Sequence, residues 1–416
     1  MSIKDYDVII IGARVAGSSL AYELSKAGYE VLLVDRSSFP SDILSTHNFF
    51  NNSVAMLREM GVLEQLLQTG TPVYKRAFIQ MDGVVIDGIY PEVNGETHCL
   101  CIRRKYLDRI LFDHAAAQRQ VTAKEGFRVT DVLMHNDKVT GIVGLSRDGK
   151  REEFNARLVV GADGRHSTLR DLVKSERKMA VPTDFASYVG YFANYRQVGE
   201  RCVEFYIMKD NLAIVFPTSD DLFVVGVMFP LDKKEWIEKF RNNPEAGFRE
   251  LVDVGFSDTT TFPERLRESS LVEPIKGLLG YDNDWFQGMG KGWALVGDAV
   301  SFKDPAVGQG MHDAIYGARL LTAILSETGD WETNWELMAD KYQTAMESKM
   351  MSRYQMACQI TKNTPVTMEQ MVANRLIGSN PDACHAFLGI YNYANEPEML
   401  GQTLMSLLQE GNGVEE

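Results

Sequence analysis

Apolar and polar positions along the chain switch between two periods. Tyr6 to Ile11 (YDVIII) is a continuous apolar run, which predicts a strand buried on both faces. The run breaks at Gly12, and Arg14 to Leu24 is small and apolar at helical spacing. A second buried strand spans Tyr29 to Val34 and ends in an acid, Asp35. A polar, hydroxyl-rich loop, Ser37 to His47, precedes a helix from Asn52 to Met60 that closes at Gly61. Residues 74–90 read as a hairpin turning at Asp82-Gly83. A helix then opens at Arg103-Arg104-Lys105 and runs to about Gln118, followed by strands Gly126–His135 and Lys138–Ser146. Another buried strand, Arg157 to Val160, leads into Gly161-Ala162-Asp163-Gly164 and a helix start.

From about Ala180 to Pro230 short aromatic and β-branched runs alternate with turns, the pattern of an antiparallel sheet. Residues 232–252 return to helix, and 258–276 are mixed and polar. Trp293 to Val296 predicts a short buried strand ending at Gly297-Asp298, and after Pro305 the turn Gly308-Gln309-Gly310 starts a helix to about Leu325. The remainder, 331–416, is helical. Its methionines (Met346, Met350, Met351, Met356, Met368, Met371) are expected to be adaptable core.

The opening strand, helix and strand form a β-α-β unit of the dinucleotide-binding kind, with pyrophosphate on the helix N-terminus and Asp35 on ribose hydroxyls. Arg14 stands where Gly-x-Gly-x-x-Gly requires its second glycine. Its guanidinium could sit beside the phosphates or block them. The alternative is a Rossmann-like unit whose glycines serve only helix-strand packing. Bare glycine backbone before Met311 offers N–H groups to something anionic or carbonyl-like, and Asp298 at a strand end is placed to bond hydroxyls. His47 could face a cofactor or substrate, or brace its loop.

With 416 residues the chain can hold two or three domains, and 45% hydrophobic with 24% charged residues is ordinary for a globular protein. A net charge of −14 without a Lys/Arg run argues against nucleic-acid or anionic-membrane partners. MSIKDYD leads straight into the first strand, so no signal or transit peptide is expected, and no apolar run reaches the ~18 residues of a membrane span. Five cysteines without C-x-x-C pairing fit core thiols in a reducing cytoplasm. The histidines form no metal-ligand set, and no G-x-S-x-G elbow supports a serine nucleophile.

Three segments together resemble the FAD-dependent monooxygenases of the p-hydroxybenzoate hydroxylase type: the β-α-β unit with Asp35; Gly161-Ala162-Asp163-Gly164 with Ser167 and Arg170; and Gly297-Asp298-Ala299…Pro305…Gly308-Gln309-Gly310-Met311. The resemblance covers roughly residues 1–330. The Gly-Ala-Arg variant with PSDILSTH also resembles a branch described only as FAD-dependent oxidoreductases. It implies an α/β fold: a Rossmann-like FAD-binding domain assembled from 1–73, 99–179 and 286–330, with a C-terminal helical region, 331–416. An antiparallel-sheet substrate domain would comprise the hairpin 74–98 and residues 180–285.

By this resemblance Gly12, Ala13, Arg14, Val15, Ala16 and Gly17 surround the FAD pyrophosphate, and Asp35 holds the adenosine ribose. Arg36 and Thr46 belong to the same cofactor set. Arg104 reaches the cofactor, Val129 touches adenine through its backbone, and Asp163 lies near the dinucleotide and the nicotinamide path. Asp298 holds the ribityl chain, Gly308, Gly310 and Met311 face the pyrimidine edge, and Pro305 lies in the loop at the flavin face. Ser301 stands where the family commonly has histidine, so no role is carried over there; His312 receives none. NAD(P)H would act as transient reductant, since no second Gly-x-Gly-x-x-Gly exists. Oxygen would then react through a flavin hydroperoxide to hydroxylate a small, apolar or aromatic substrate, in a pocket open to Tyr188, Tyr191, Phe205 and Phe216. A geranylgeranyl-reductase-like double-bond reductase, a halogenase (though no Trp-x-Trp-x-Ile-Pro stretch occurs) and a lipid- or partner-binding module are the alternatives. Oligomeric state is left open.

Overall fold

β1 (Asp5–Ile11) is the middle strand of a parallel sheet, and its apolar residues are buried on both faces. The computed structural model describes residues 5–412 except 42, 44, 46 and 260. Strands follow one another in the order Val121–Glu125, β2 (Val31–Asp35), β1, Arg151–Gly161, Trp293–Leu295. Register fixes where they stop: Ile11 lies across from Val34 on one side and Gly161 on the other, and Gly161 from Leu295. Gly12, Asp35, Ala162 and Val296 therefore emerge along one sheet edge. Ligands of open α/β sheets bind at the carboxyl ends of the strands.

The strand Arg151–Gly161 serves two sheet segments, because its first half pairs antiparallel with Lys138–Leu145, which pairs in turn with Arg128–His135. α1 (Val15–Lys26) packs close on β1. A side-chain carbon built on Gly17 would lie 1.7 Å from the Gly12 carbonyl oxygen. At Gly12, where φ is +100°, such an atom would lie 2.4 Å from the carbonyl oxygen of Ala162.

The hairpin Arg76–Met81/Val84–Ile89 joins the antiparallel sheet by parallel pairing with Cys202–Met208. Beyond it follow Asn211–Thr218, Leu222–Pro230 and Phe185–Ala193. One face carries Tyr191, Val203, Phe205 and Phe216 into an apolar cluster shared with Ile377, Ala383 and Leu388 of the C-terminal helices. The other face packs under Phe240, Phe248 and Phe262.

The helix expected over 232–252 is two, Lys234–Asn242 and Pro244–Gly255. Pro244 disfavours helical backbone at Asn243, which is extended and caps the second helix by accepting the Ala246 N–H. Met346 and Met350 are core, but Met368 and Met371 are 69% and 38% exposed, so the expectation fails for those two. They lie on the short helix Met368–Ser379, which buries only Ile377. All five cysteines are buried, and none is joined in a disulfide. Among the described residues no helix is long and apolar enough to cross a membrane, and no cluster of metal-ligand type occurs.

Gly17→Ala should lower stability by about 3 kcal/mol, because neither Gly12 nor the sheet behind it can yield. Urea unfolding followed by circular dichroism measures this, and an unchanged midpoint would refute the tight β1–α1 approach.

Candidate cofactor site

Three loops meet at the sheet edge. In the first, the Ala13 N–H donates to Asp35 Oδ2 at 2.8 Å and the Ser37 N–H to Oδ1 at 2.7 Å. Asp35 is thereby held at the end of β2, and a carboxylate so bonded still has lone pairs for hydroxyl donors. The α1 N-terminus has neither a side-chain cap nor an acid in its first turn. Val15 and Ala16 are buried in that turn, while Arg36 is exposed beyond β2. Thr46 lies outside the described residues.

Arg14 is engaged from elsewhere. Its Nη1 donates to Asp108 Oδ2 at 2.9 Å, while Arg104 Nε donates to Oδ1 of the same carboxylate at 2.8 Å. Asp108 is fully buried, one turn beyond Arg104 on the helix Arg104–Ala116. Burial pushes its carboxyl pKa up, and the two guanidinium groups pull it back. The residue that replaces a glycine is thus half of a charge clamp built on that helix. Sequence reasoning placed Arg14 and Arg104 but missed Asp108. The i,i+4 spacing of Arg104 and Asp108 was the available signal.

The second loop, after Gly161, puts Asp163 at the start of the helix Thr168–Val173, where its Oδ2 accepts the Thr168 N–H at 2.7 Å. Oδ1 is buried with no partner, and burial raises the carboxyl's pKa. A buried oxygen left without a hydrogen-bond partner is open to a donor from a ligand. Val129 lies nearby in the chain's order of elements on Arg128–His135, a strand paired on one side only.

The third loop carries Asp298 in a single turn, Gly297–Ala299. Its neighbours Gly297, Ala299 and Gln309 are buried while Asp298 itself reaches solvent, as on the floor of a recess. That enclosure raises its pKa to about 6, opposed by Arg104. A side-chain carbon on Gly297 would come 3.0 Å from Ala16 Cβ, which places the third loop against α1. Pro305 is exposed, Gly308 is half-buried, and no side chain caps the helix Gly310–Glu327. A carbon built on Gly310 would meet only Asp298 Oδ1, at 3.9 Å. Gly310 is exposed and Met311 half-buried, so backbone at this helix start is open to a ligand.

Beneath the loop lies a network that sequence reasoning did not anticipate. Lys303 and Asp313 form a buried ion pair, and Asp313 Oδ1 accepts from Tyr393 Oη at 2.7 Å. Burial alone would raise the Asp313 pKa, but Lys303 and His312 hold it below the usual carboxylate range. His312 is stacked 3.9 Å from Tyr393, and burial lowers its pKa. The flavin-side loop expected from sequence is thus anchored to the C-terminal helices.

His47 is fully buried at φ +52°. Its Nδ1 is 2.6 Å from Ser45 Oγ, and its Nε2 bonds Tyr191 Oη of the antiparallel sheet. Burial, with Arg104 and Arg103, keeps its pKa well below the usual histidine value, so it is neutral. Arg103 stacks 4.4 Å over Tyr191 and pairs with Asp220 at 3.1 Å. Of the two readings for His47, this geometry supplies the bracing contacts.

Cradle glycines, an unsatisfied Asp163 oxygen, an open helix start and a solvent-reaching Asp298 fit an extended dinucleotide. Residues 5–345 match the family model described as FAD binding domain. Kynurenine 3-monooxygenase of Christiangramia forsetii is 24% identical over 359 residues, 82% of this chain and 76% of the relative. Digeranylgeranylglycerophospholipid reductase of Methanosarcina mazei is 26% identical over 333 residues, 76% and 74% of the two chains. The solved structure of the flavin-dependent brominase Bmp2 superposes with a TM-score of 0.75 at 18% identity, covering 98% of this chain and 99% of that one.

Asp298→Asn tests the recess. A carboxyl raised in the fold contributes stability below its unfolded pKa and loses it as pH rises through 6. The variant should therefore melt higher than the parent at pH 7.5, with the gain vanishing near pH 4, while binding FAD more weakly. Differential scanning calorimetry across that range checks it; a gain independent of pH would contradict it. The chain belongs to the FAD-binding family of p-hydroxybenzoate hydroxylase type and is an FAD-dependent oxidoreductase.

Proposed function

We propose that this enzyme is a monooxygenase that takes two electrons from NAD(P)H and inserts one atom of O2 into a small apolar or aromatic substrate, releasing the other as water. The supporting observation is the convergence of the three loops, together with the likeness to a monooxygenase over four-fifths of the chain. FAD, when bound, supplies electron storage and oxygen activation.

In this reading Asp35 holds the adenosine ribose and the α1 N-terminus faces the pyrophosphate, with Arg14 and Arg104 adding positive charge. Val129 meets adenine through its backbone, and Asp163 accepts a hydroxyl or amide donor. Asp298 bonds the ribityl hydroxyls. The start of the helix Gly310–Glu327 faces the pyrimidine edge, where its dipole favours negative charge. Pro305 borders the reacting face. His47 is a positioning residue: through Tyr191 it ties the cofactor loop to the sheet that holds the substrate. Residues 1–73, 99–179 and 286–330 would form the cofactor domain. The aromatic cluster of the sheet keeps water from the reaction, a condition for productive oxygen use.

A reductase reading is favoured by one specific observation, the 26% identity to an enzyme that reduces double bonds according to its name. Halogenation is supported by likeness of fold and by 24% identity, over 79% of this chain, to a relative named as a brominase of a carrier-bound pyrrole carbonyl group. Turnover of a panel of aromatic compounds under isotopically labelled oxygen separates the monooxygenase reading from the reductase reading. The monooxygenase reading expects stimulated NAD(P)H oxidation and a labelled product; a reduced product without label would establish the reductase reading instead.

A further inference from the structure

The antiparallel sheet has a second occupied face. Alternation puts Ala77, Ile79, Val203 and Phe205 in the cluster with Phe50, which abuts Gly308 of the cofactor loop. It puts Arg76, Phe78, Cys202, Glu204 and Tyr206 on the opposite face, with Cys202 across from Arg76 and Glu204 across from Phe78. The short helix Phe262–Arg267 lies over this face, where Phe262 stacks 4.4 Å from Tyr206. Beside it is a cavity of about 260 Å³, whose wall includes Arg76, Phe78, Val198, Tyr206, Thr261 and Arg265. That is just under the ~300 Å³ at which pockets for drug-sized ligands begin.

The polar groups of this cavity are unequally satisfied. Glu204, 3% exposed, accepts from Arg265 Nη1 at 2.8 and 3.0 Å, Tyr195 Oη at 2.7 Å, Tyr206 Oη at 3.0 Å and Gln197 Nε2 at 3.1 Å. Its charge is cancelled and its lone pairs are filled. Arg76 is different. Its Nε and Nη2 grip Asp87 at the rim, while Nη1 has only the thiol of Cys202 at 3.8 Å. Arg76 and Cys202 both line the cavity, so this Nη1 group meets only a weak acceptor there, beside the apolar walls of Phe78, Tyr206 and Val198.

We propose that this cavity is a second small-molecule site that takes a small carboxylate with an aromatic or branched aliphatic body. The carboxylate accepts from Arg76 Nη1, and the body packs on Phe78 and Tyr206 with Val198 closing the mouth. The site lies across the sheet from the cofactor loops, so it is independent of the redox reaction. A charged guanidinium donor favours a carboxylate over its amide.

Calorimetric titration of benzoate into the FAD-loaded protein tests this, with the flavin absorption spectrum recorded in parallel. Saturable binding is expected with the flavin spectrum unchanged, and benzamide should bind roughly tenfold more weakly. Arg76→Gln and Val198→Trp should each weaken benzoate binding by about tenfold or more. Both positions reach solvent, Val198 at 67% exposure, so folding should survive; an unchanged melting temperature confirms it. No saturable binding overturns the proposal. So does binding that perturbs the flavin spectrum and is indifferent to both substitutions, because the ligand would then sit at the cofactor.

Discussion

One buried carboxylate organises the cofactor end of this molecule. Asp108 holds Arg14 of the first loop and Arg104 of its own helix, and it is fully removed from solvent. Removing a partner from such a pair typically costs 3–5 kcal/mol, since a buried charge is left uncompensated. The clamp joins the α1 N-terminus to a helix ninety-four positions further along. Arg104 in turn acts to lower the pKa values of both His47 and Asp298, so its charge is felt at His47 and in the third loop alike.

The arginine in the glycine fingerprint becomes intelligible in these terms. A second glycine ordinarily lets backbone approach the pyrophosphate. Here the close approaches are retained at Gly12 and Gly17, where no side-chain atom fits. Position 14 is given to a cation whose partner is fixed elsewhere. Its guanidinium is held by that partner within the chain itself.

Much of this was legible in the sequence because the signals are local. β1, α1 and β2 follow from an unbroken apolar run, helical spacing and a terminal acid, and Asp35 and Asp298 follow from lying at strand ends. For Asp108 only the i,i+4 spacing from Arg104 is local, and its pairing with Arg14, far off in the chain, is not legible. The Lys303–Asp313–Tyr393 network was hidden for the same reason, since Tyr393 arrives from a C-terminal turn. The break at Asn243-Pro244 is a local signal, a capping residue followed by proline. Met368 and Met371 share the spacing of core methionines, and periodicity does not show that their helix buries a single residue. Pairings over long sequence separation are what the chain's text withholds.

The two sides of the antiparallel sheet divide labour accordingly, one continuous with the cofactor loops and the other closed over by the helices 234–267. In the proposed function Arg14, held by Asp108, leaves the diphosphate its place while Asp298 meets the ribityl chain. A crystal structure of the protein with FAD bound tests it most directly. The account expects Arg14 still on Asp108, the pyrophosphate against the α1 N-terminus, and Asp298 within hydrogen-bonding distance of a ribityl hydroxyl. Arg14 swung into the cleft, with Asp298 pointing away from the ligand, would contradict it.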